Sequence, residues 1–386
     1  MRRDVFLLSL AAFTSSASLR ATDPLLPLIA DEYGVTTGAA AAAVTSFALA
    51  YGLLQVVCGP LGDRYGRYRT IAAAAFVSAF GSLACGFAPS LPTLVAARFL
   101  AGATIGAFIP LSLAWIGDSF AYGQRQAVLA RFLVGQMVGI GFGTALAGWL
   151  AEHFGWRAIF LVLAALLLVI AALLGLEARR HPAVMTSASI AHSFARMPVL
   201  FSRPQVRVLL GTGYFEGFLI FGALAFVALH FQRRFGIGPG AAGTLLAAYA
   251  VGGVLYALVA KRAIRRLGES GLAAVGGCAL VIGYAGLALA PQLALATLAL
   301  AAVGCGFYMF HTTVQTNVTQ VAPEERGSAV ALFATFLFMG QASGVWLAAR
   351  LVDAAGVAPV FGCAALGLAA LSYAFRRRLL SAPRAL

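Results

Sequence analysis

Two long apolar runs, Ser46 to Cys58 and Thr70 to Phe87, flank the stretch Gly59-Pro-Leu-Gly-Asp63-Arg64-Tyr-Gly66-Arg67-Tyr-Arg69. A glycine-punctuated, charged segment of this kind cannot lie in hydrocarbon as irregular chain, because its backbone groups would have no partners. It is expected as a short loop at a membrane surface, and its arginines favour the inner side. The same rhythm of apolar run and polar punctuation continues to the end of the chain. A crossing helix needs about 20 apolar residues, so the chain has room for about twelve crossings. Only 10% of its residues are charged, against about 25% in soluble domains. The chain therefore reads as an all-α membrane protein.

Taken in order, helix 1 is expected from Val5 to Ala30, with Arg20, Asp23, Pro24 and Pro27 in its outer half. Arg2-Arg3 and the apolar Val5 to Phe13 imitate a secretory leader. The apolar character resumes at Pro24 to Ala30, so one long, retained helix is expected. Helix 4 carries Arg98, helix 5 is dense in glycine, and Trp156 is placed at interface depth. Residues 178–205 form the longest hydrophilic stretch. They read as a cytoplasmic linker between two six-helix halves, 1–177 and 206–386. In the second half, Lys261-Arg-Ala-Ile-Arg265-Arg-Leu-Gly268 is a worn copy of the first charged stretch, with Gly268 standing where Gly66 stood. The five cysteines lie in or at the ends of apolar runs without metal-ligand spacing. They read as small buried hydrophobes.

A net charge of +14 would point to nucleic acid in a soluble protein. Here it follows the inside-positive rule. Of the 27 basic residues, Arg157, Arg233, Arg234 and Arg350 fall outside, Arg20 and Arg98 fall within helices, and the rest fall inside. Shifting the register by one helix inverts that bias. Both termini are thus expected in the cytoplasm, with no nucleic-acid partner.

The spacing G-x-L-x-D-R-x-G-R-x-R over Gly59 to Arg69 resembles the signature between helices two and three of the major facilitator superfamily. Tyr68 departs from it, since that position is usually basic. Arg98-Phe-Leu-Ala-Gly102-x-x-x-Gly106 is similar to the family's second motif, whose arginine is associated with proton coupling. Asp23 with Pro27 resembles the acidic pattern of multidrug and sugar-efflux members. Gly139, Gly141, Gly143 and Gly148 lie where antiporters carry a glycine-rich motif, with Thr144 at the place of its central proline. The whole chain resembles the drug and arabinose efflux branch of bacterial facilitators. That resemblance implies twelve transmembrane helices in two pseudo-symmetric six-helix halves. It also implies a bacterial inner-membrane location and a gating stretch made of Gly59, Asp63, Arg64, Gly66 and Arg67. In it, Asp63 would contact the N-terminus of helix 11 and lock the inner gate.

Four ionisable residues fall at depth: Arg20, Asp23, Arg98 and Glu216. Each charge at the bilayer centre costs roughly 2.5–3.5 kcal/mol on insertion scales, so each needs a partner or a water-filled cavity. Asp23 lies about 12 Å and Arg98 about 9 Å from the outer ends of their helices at 1.5 Å per residue. Asp23 is therefore expected to face both Arg98 and Arg20, three residues away on the same helix face. The cluster reads either as a structural tie or as a coupling and substrate site. Glu216, read as a carboxylate without a neighbour, is the expected proton carrier. It could instead bond a backbone group. His311 and Gln315, one turn apart, read as packing residues or as the wall of a polar cavity. Tyr214, Phe215 and Tyr308 read as packing.

These features together point to a secondary transporter, probing alternating access around a midplane site, most simply by proton-coupled efflux of a small molecule. Uptake or facilitated diffusion of a small organic anion or sugar is the alternative. A membrane enzyme or a lipid scramblase fits less well. Neither a metal constellation nor a phosphate loop is visible, so no cofactor and no catalytic residue is expected. Protons, a small-molecule substrate and the bilayer are the expected partners of a monomer.

Overall fold

A computed structural model describes residues 2–120, 122–180, 200–322 and 326–381. Most of the 178–205 linker and the Pro323–Glu325 start of helix 11 thus lie outside the described residues. The described chain is helical throughout, with no strand. Its membrane helices are α1 (Arg3–Tyr33), α2 (Thr37–Tyr65), α3 (Arg67–Gly86), α4 (Leu91–Ser119), α5 (Tyr122–Phe154) and α6 (Ala158–Ala178). The second half holds α7 (Pro204–Phe235), then Pro239–Leu289, α10 (Leu293–Val321), α11 (Gly327–Ala355) and α12 (Val357–Ser381). Pro239–Leu289 has 51 residues, about 77 Å of helix at 1.5 Å per residue. That is more than twice a hydrocarbon core of about 30 Å. It breaks at Gly268, whose φ of 62° is left-handed, into α8 (239–267) and α9 (269–289). The described residues therefore supply twelve crossings in two halves of six.

The halves repeat one another down to their turns. Among the described residues, φ is positive only at six glycines, and they fall into three pairs. Gly34 and Gly236 end α1 and α7; Gly66 and Gly268 separate α2 from α3 and α8 from α9; Gly155 and Gly356 follow α5 and α11. Their spacings are 202, 202 and 201 residues. A left-handed residue is the cheapest way to turn a helix end sharply, and glycine adopts it without a Cβ clash.

Several expectations are corrected. The Gly59–Arg69 stretch is not a loop: α2 runs through Gly59, Pro60, Asp63 and Arg64 to Tyr65, and α3 begins at Arg67. Continuing the helix pairs most backbone groups internally, those opposite Pro60 and in the last turn excepted, and Gly66 alone (φ 87°) makes the turn. Helix 1 is not continuous. It breaks at Ala21 and Thr22, and Asp23–Leu25 forms a short 3-10 turn before the helix resumes at Leu26. Pro24 explains this, because it lacks the N–H for the carbonyl of Arg20 and disfavours helical geometry at the residue before it. Trp156, in the turn between α5 and α6, is buried, and its Nε1–H donates to Glu32 Oε2 at 2.6 Å. Cys58 and Cys85 are buried, whereas Cys278 and Cys363 are exposed on the outside of the bundle.

Packing depends on close approach. In α5, Gly135, Gly139 and Gly143 meet the backbones of Ser9, Phe13 and Ala17 in α1, and a Cβ on Gly139 would sit 2.3 Å from the Phe13 oxygen. Such small-residue stripes let membrane helices touch backbone to backbone. Gly148 does the same to Pro239 at the start of α8, in the other half. Buried apolar residues form one large cluster running through the second half and the part of the first half remote from the termini. A separate cluster fills the terminus-side part of the first half.

Candidate functional site

Two broken helices, α1 and α7, define the site. In α7 a π-helical turn, Gly217–Phe221, follows directly on Glu216. Its tight packing has a local cause: a Cβ on Gly217 would lie 1.9 Å from the Leu337 oxygen of α11. Widened turns of this kind mark functional sites in helices.

On the α1 side, Asp23 is fully buried and its Oδ2 lies 3.2 Å from Arg20 Nη1. The second oxygen of Asp23, the Nη2 of Arg20 and the hydroxyls of Ser18 and Thr22 have no protein partner. The Arg20 guanidinium lies over the ring of Phe221, 4.8 Å from its centre, and so reaches into the second half.

Arg98 departs from expectation. It makes no ion pair with Asp23. Its Nε donates to the Ala43 carbonyl at 3.3 Å, and Nη1 and Nη2 both donate to the Ser18 carbonyl at 3.2 Å. The guanidinium lies 3.9 Å from the centre of the Phe47 ring. The expectation rested on depth alone, and the sequence carries no information on rotation about the helix axis. Arg98 instead ties α4 to the carbonyl that precedes the α1 break by three residues.

Glu216 also departs from expectation, because it has a neighbour. Its Oε1 lies 3.0 Å from Nδ1 of His311 in α10, and the carboxyl is fully buried. Its other oxygen has no protein partner. The His311 ring stacks on Phe307 at 4.9 Å, and Phe307 meets Phe221 edge-on at 5.0 Å. Asp23, Arg20, Phe221, Phe307, His311 and Glu216 thus form one continuous series of contacts across both halves. Gln315 lies half-buried one turn from His311, toward the termini. Tyr214 donates to or accepts from Ser343 at 2.8 Å, and Phe215 is half exposed on the outside of the bundle.

Two polar residues at this level were missed by sequence reasoning. Gln341 of α11 is fully buried with both amide atoms unpartnered, and the Tyr249 hydroxyl is likewise unpartnered. The signal for Gln341 was present: an amide in the interior of an apolar helix has to be satisfied by something.

At the terminus end, Arg67 joins Asp63 at 3.6 Å and Asp118 of α4 at 2.6 Å. Tyr68, the departure from the expected basic residue, is buried and donates to Asp4 Oδ1 at 3.3 Å. Arg64 is exposed and lies over its neighbour Tyr65. The Asp63 contact with the first turn of α11 falls on residues 323–325, outside the described residues.

A sequence model of the Major Facilitator Superfamily matches residues 8–345. The chain belongs to the major facilitator superfamily. Its helices make it a multi-pass membrane protein, and within the family it resembles drug-efflux members. An uncharacterised facilitator-type transporter of Bacillus subtilis, YwfA, is 26% identical over 67% of this chain and 63% of its own length. The multidrug export protein EmrB of Haemophilus influenzae is 30% identical over 40% of this chain and 30% of its own length. The lincomycin resistance protein of Streptomyces lincolnensis is 36% identical over 36% of this chain and 28% of its own length. The matched stretch thus spans less than two thirds of these relatives. The nucleoside transporter NupG has the same fold at a TM-score of 0.74 and 14% identity, covering 98% of this chain and 99% of that one. The xylose transporter XylE from E. coli matches at 0.72 and 13% identity, over 96% of both chains.

Proposed function

We propose that this facilitator exports a small molecule from the cytoplasm in exchange for protons, by alternating access between its halves at the bacterial inner membrane. The observation that carries the reading is the Glu216–His311 pair: a fully buried carboxyl at mid-depth, one oxygen on an imidazole and the other unpartnered. Such a group takes up or releases a proton as water reaches it from alternate sides. Asp23 and Arg20 form the substrate-facing counterpart, with one acceptor and one donor left open to a ligand. The residues of the site are Arg20, Asp23, Arg98, Glu216, His311 and Gln315, and the gating turn comprises Gly59, Asp63, Arg64, Gly66 and Arg67.

The basic inventory supports cytoplasmic termini and a cytoplasmic linker over 178–205 between halves 1–177 and 206–386. In that orientation the seal lies at the periplasmic end. There Glu152 of α5 accepts the N–H of Gly240 at 3.1 Å, Arg233 donates to Thr37 at 2.7 Å, and Gln232 donates to the Pro24 carbonyl at 3.0 Å. Lower down, Thr335 donates to the Gly52 carbonyl at the level of the midplane. The split of the apolar core supports the same reading, in which the halves part at the cytoplasmic end. The protein acts as a monomer.

A second reading, uptake or facilitated diffusion of a small organic anion, is favoured by Arg20 and Arg98 exceeding Asp23 by one charge, and by Thr144 at the antiporter proline position. Flux into proteoliposomes with and without an imposed proton gradient separates the two. A gradient that leaves the accumulation ratio of every tested substrate unchanged rejects the exchange mechanism.

A further inference from the structure

A groove of about 500 Å³ opens on the outside of the bundle where α2, α3 and α4 meet. Its walls are apolar, with Leu54, Val57, Leu61, Ala73 and Val77 among them. Thr104 also lines it, but its hydroxyl is already engaged with Ser78 at 2.6 Å. The polar part of the groove is its mouth, formed by Tyr65, Arg69 and Thr70 at the end of the bundle that holds the termini. From Arg69 to Val77 the groove follows eight residues of rise, about 12 Å at 1.5 Å per residue. That is most of the depth of one leaflet, half of a hydrocarbon core of about 30 Å.

The arginines of this turn are used differently. Arg67 is bound to Asp63 and Asp118. Arg64 lies over the Tyr65 ring. Arg69 is exposed, lines the groove mouth, and has no carboxylate partner among the described residues. A cation at the surface end of an apolar slot in a membrane matches a molecule with an anionic head and an apolar tail.

We propose that this groove seats an anionic phospholipid of the leaflet at the terminus end, one acyl chain along α2 and α3 and the phosphate on Arg69. Tyr65, half exposed beside it, offers its hydroxyl to the same phosphate. The site is separate from the Arg20–Glu216 contact series, and its occupancy is independent of which solute the protein carries. The seated lipid rests on Leu61 and on both sides of Gly66, so it braces the end of α2 that carries Asp63.

The test is native mass spectrometry of the detergent-purified full chain titrated with phosphatidylglycerol or phosphatidylcholine. A basic residue near a membrane surface contributes about 1 kcal/mol to anionic-lipid binding, a preference of about fivefold for phosphatidylglycerol. Arg69→Gln is expected to abolish the preference, and Arg64→Gln to keep it. Ala73→Phe, at an exposed groove position, is expected to lower binding of both lipids. Lipid-free unfolding midpoints like that of wild type show that each variant is folded. Equal affinity of the wild type for the two lipids overturns the proposal, as does an unchanged preference in Arg69→Gln or undiminished binding in Ala73→Phe. A wild-type dimer that Ala73→Phe dissociates assigns the groove to a second copy of the chain, and also overturns it.

Discussion

Asp353, at the end of α11 remote from the termini, caps the start of α2 through Gly38. Its Oδ1 accepts the Gly38 backbone N–H at 2.9 Å while Oδ2 accepts the Thr36 hydroxyl at 2.7 Å. A helix N-terminus presents unpaired N–H groups and favours an anion. A carboxylate of one half thus seals the other half at the end remote from the termini. Gly38 is required there, since a Cβ would lie 2.3 Å from Asp353 Oδ2. Exposed contacts of this kind are worth roughly 0.3–1 kcal/mol, so Asp353→Ala is expected to raise severalfold the population open at this end. Spin labels at Phe154 and Ala355, at the ends of α5 and α11 remote from the termini, report the distance between halves. An unchanged distance distribution in Asp353→Ala contradicts the seal.

Asp63 is proposed to do the same at the opposite end, from α2 toward the start of α11. Asp63→Asn is therefore expected to shift the populations the other way and slow transport, while leaving insertion intact. The double variant with Asp353→Ala is expected to recover part of the lost rate. Wild-type transport in Asp63→Asn alone removes the gating role.

The α1–α5 seam makes a stability prediction. Valine at Gly139 places methyl groups against the Phe13 backbone, which cannot move aside as a side chain could. Overpacking of this kind costs about 1–3 kcal/mol. Gly139→Val is expected to lower the unfolding midpoint in detergent, whereas Gly175→Val, where nothing lies within 4 Å of the added Cβ, is expected to be near neutral. Equal midpoints for the two variants contradict the seam.

Much of this architecture was legible because lipid imposes a length on each apolar run, and because the Gly59–Arg69 spacing is unusual. The Arg20–Asp23 pair was legible from its closeness in sequence, although the two residues meet across the break in α1 and not on one helix face. What escaped was rotational. Nothing local places Glu216 and His311 together from 95 positions apart, and nothing local turns Arg98 toward the Ser18 carbonyl instead of Asp23. The helical form of the charged turn escaped for another reason. Charge and glycine signal a surface, but a helix can project beyond the hydrocarbon and still satisfy its own backbone.

Asp23→Asn leaves the Arg20 guanidinium buried without its carboxylate. Breaking a buried pair from one side costs about 3–5 kcal/mol, while removing both charges costs far less. Asp23→Asn is therefore expected to lower the unfolding midpoint, and Arg20→Gln in the same chain to restore it without restoring transport. Transport that recovers together with stability shows that the pair is a structural tie and contacts no substrate.

The proton itself is the last question, and the contact series from Asp23 to Glu216 makes it answerable. Asp23 is held by Arg20 on its own helix, so a cation compensates its charge in place. The partner of Glu216 is the imidazole of His311 on another helix, not a fixed cation. Glu216→Gln imitates the proton-loaded carboxyl and cannot release it. This variant is expected to bind and exchange substrate but to lose its response to the proton gradient. His311→Gln keeps a hydrogen-bonding group of similar reach beside Glu216, and is expected to move the pH dependence of transport more than its maximal rate. The measurement is proton release from detergent-solubilised protein, in weak buffer, on adding a transported substrate. Wild type is expected to release protons and Glu216→Gln to release fewer. Equal release from both places the proton elsewhere, with Asp23 the next carboxylate in the series to examine. No release from either removes exchange and leaves facilitated diffusion as the mechanism.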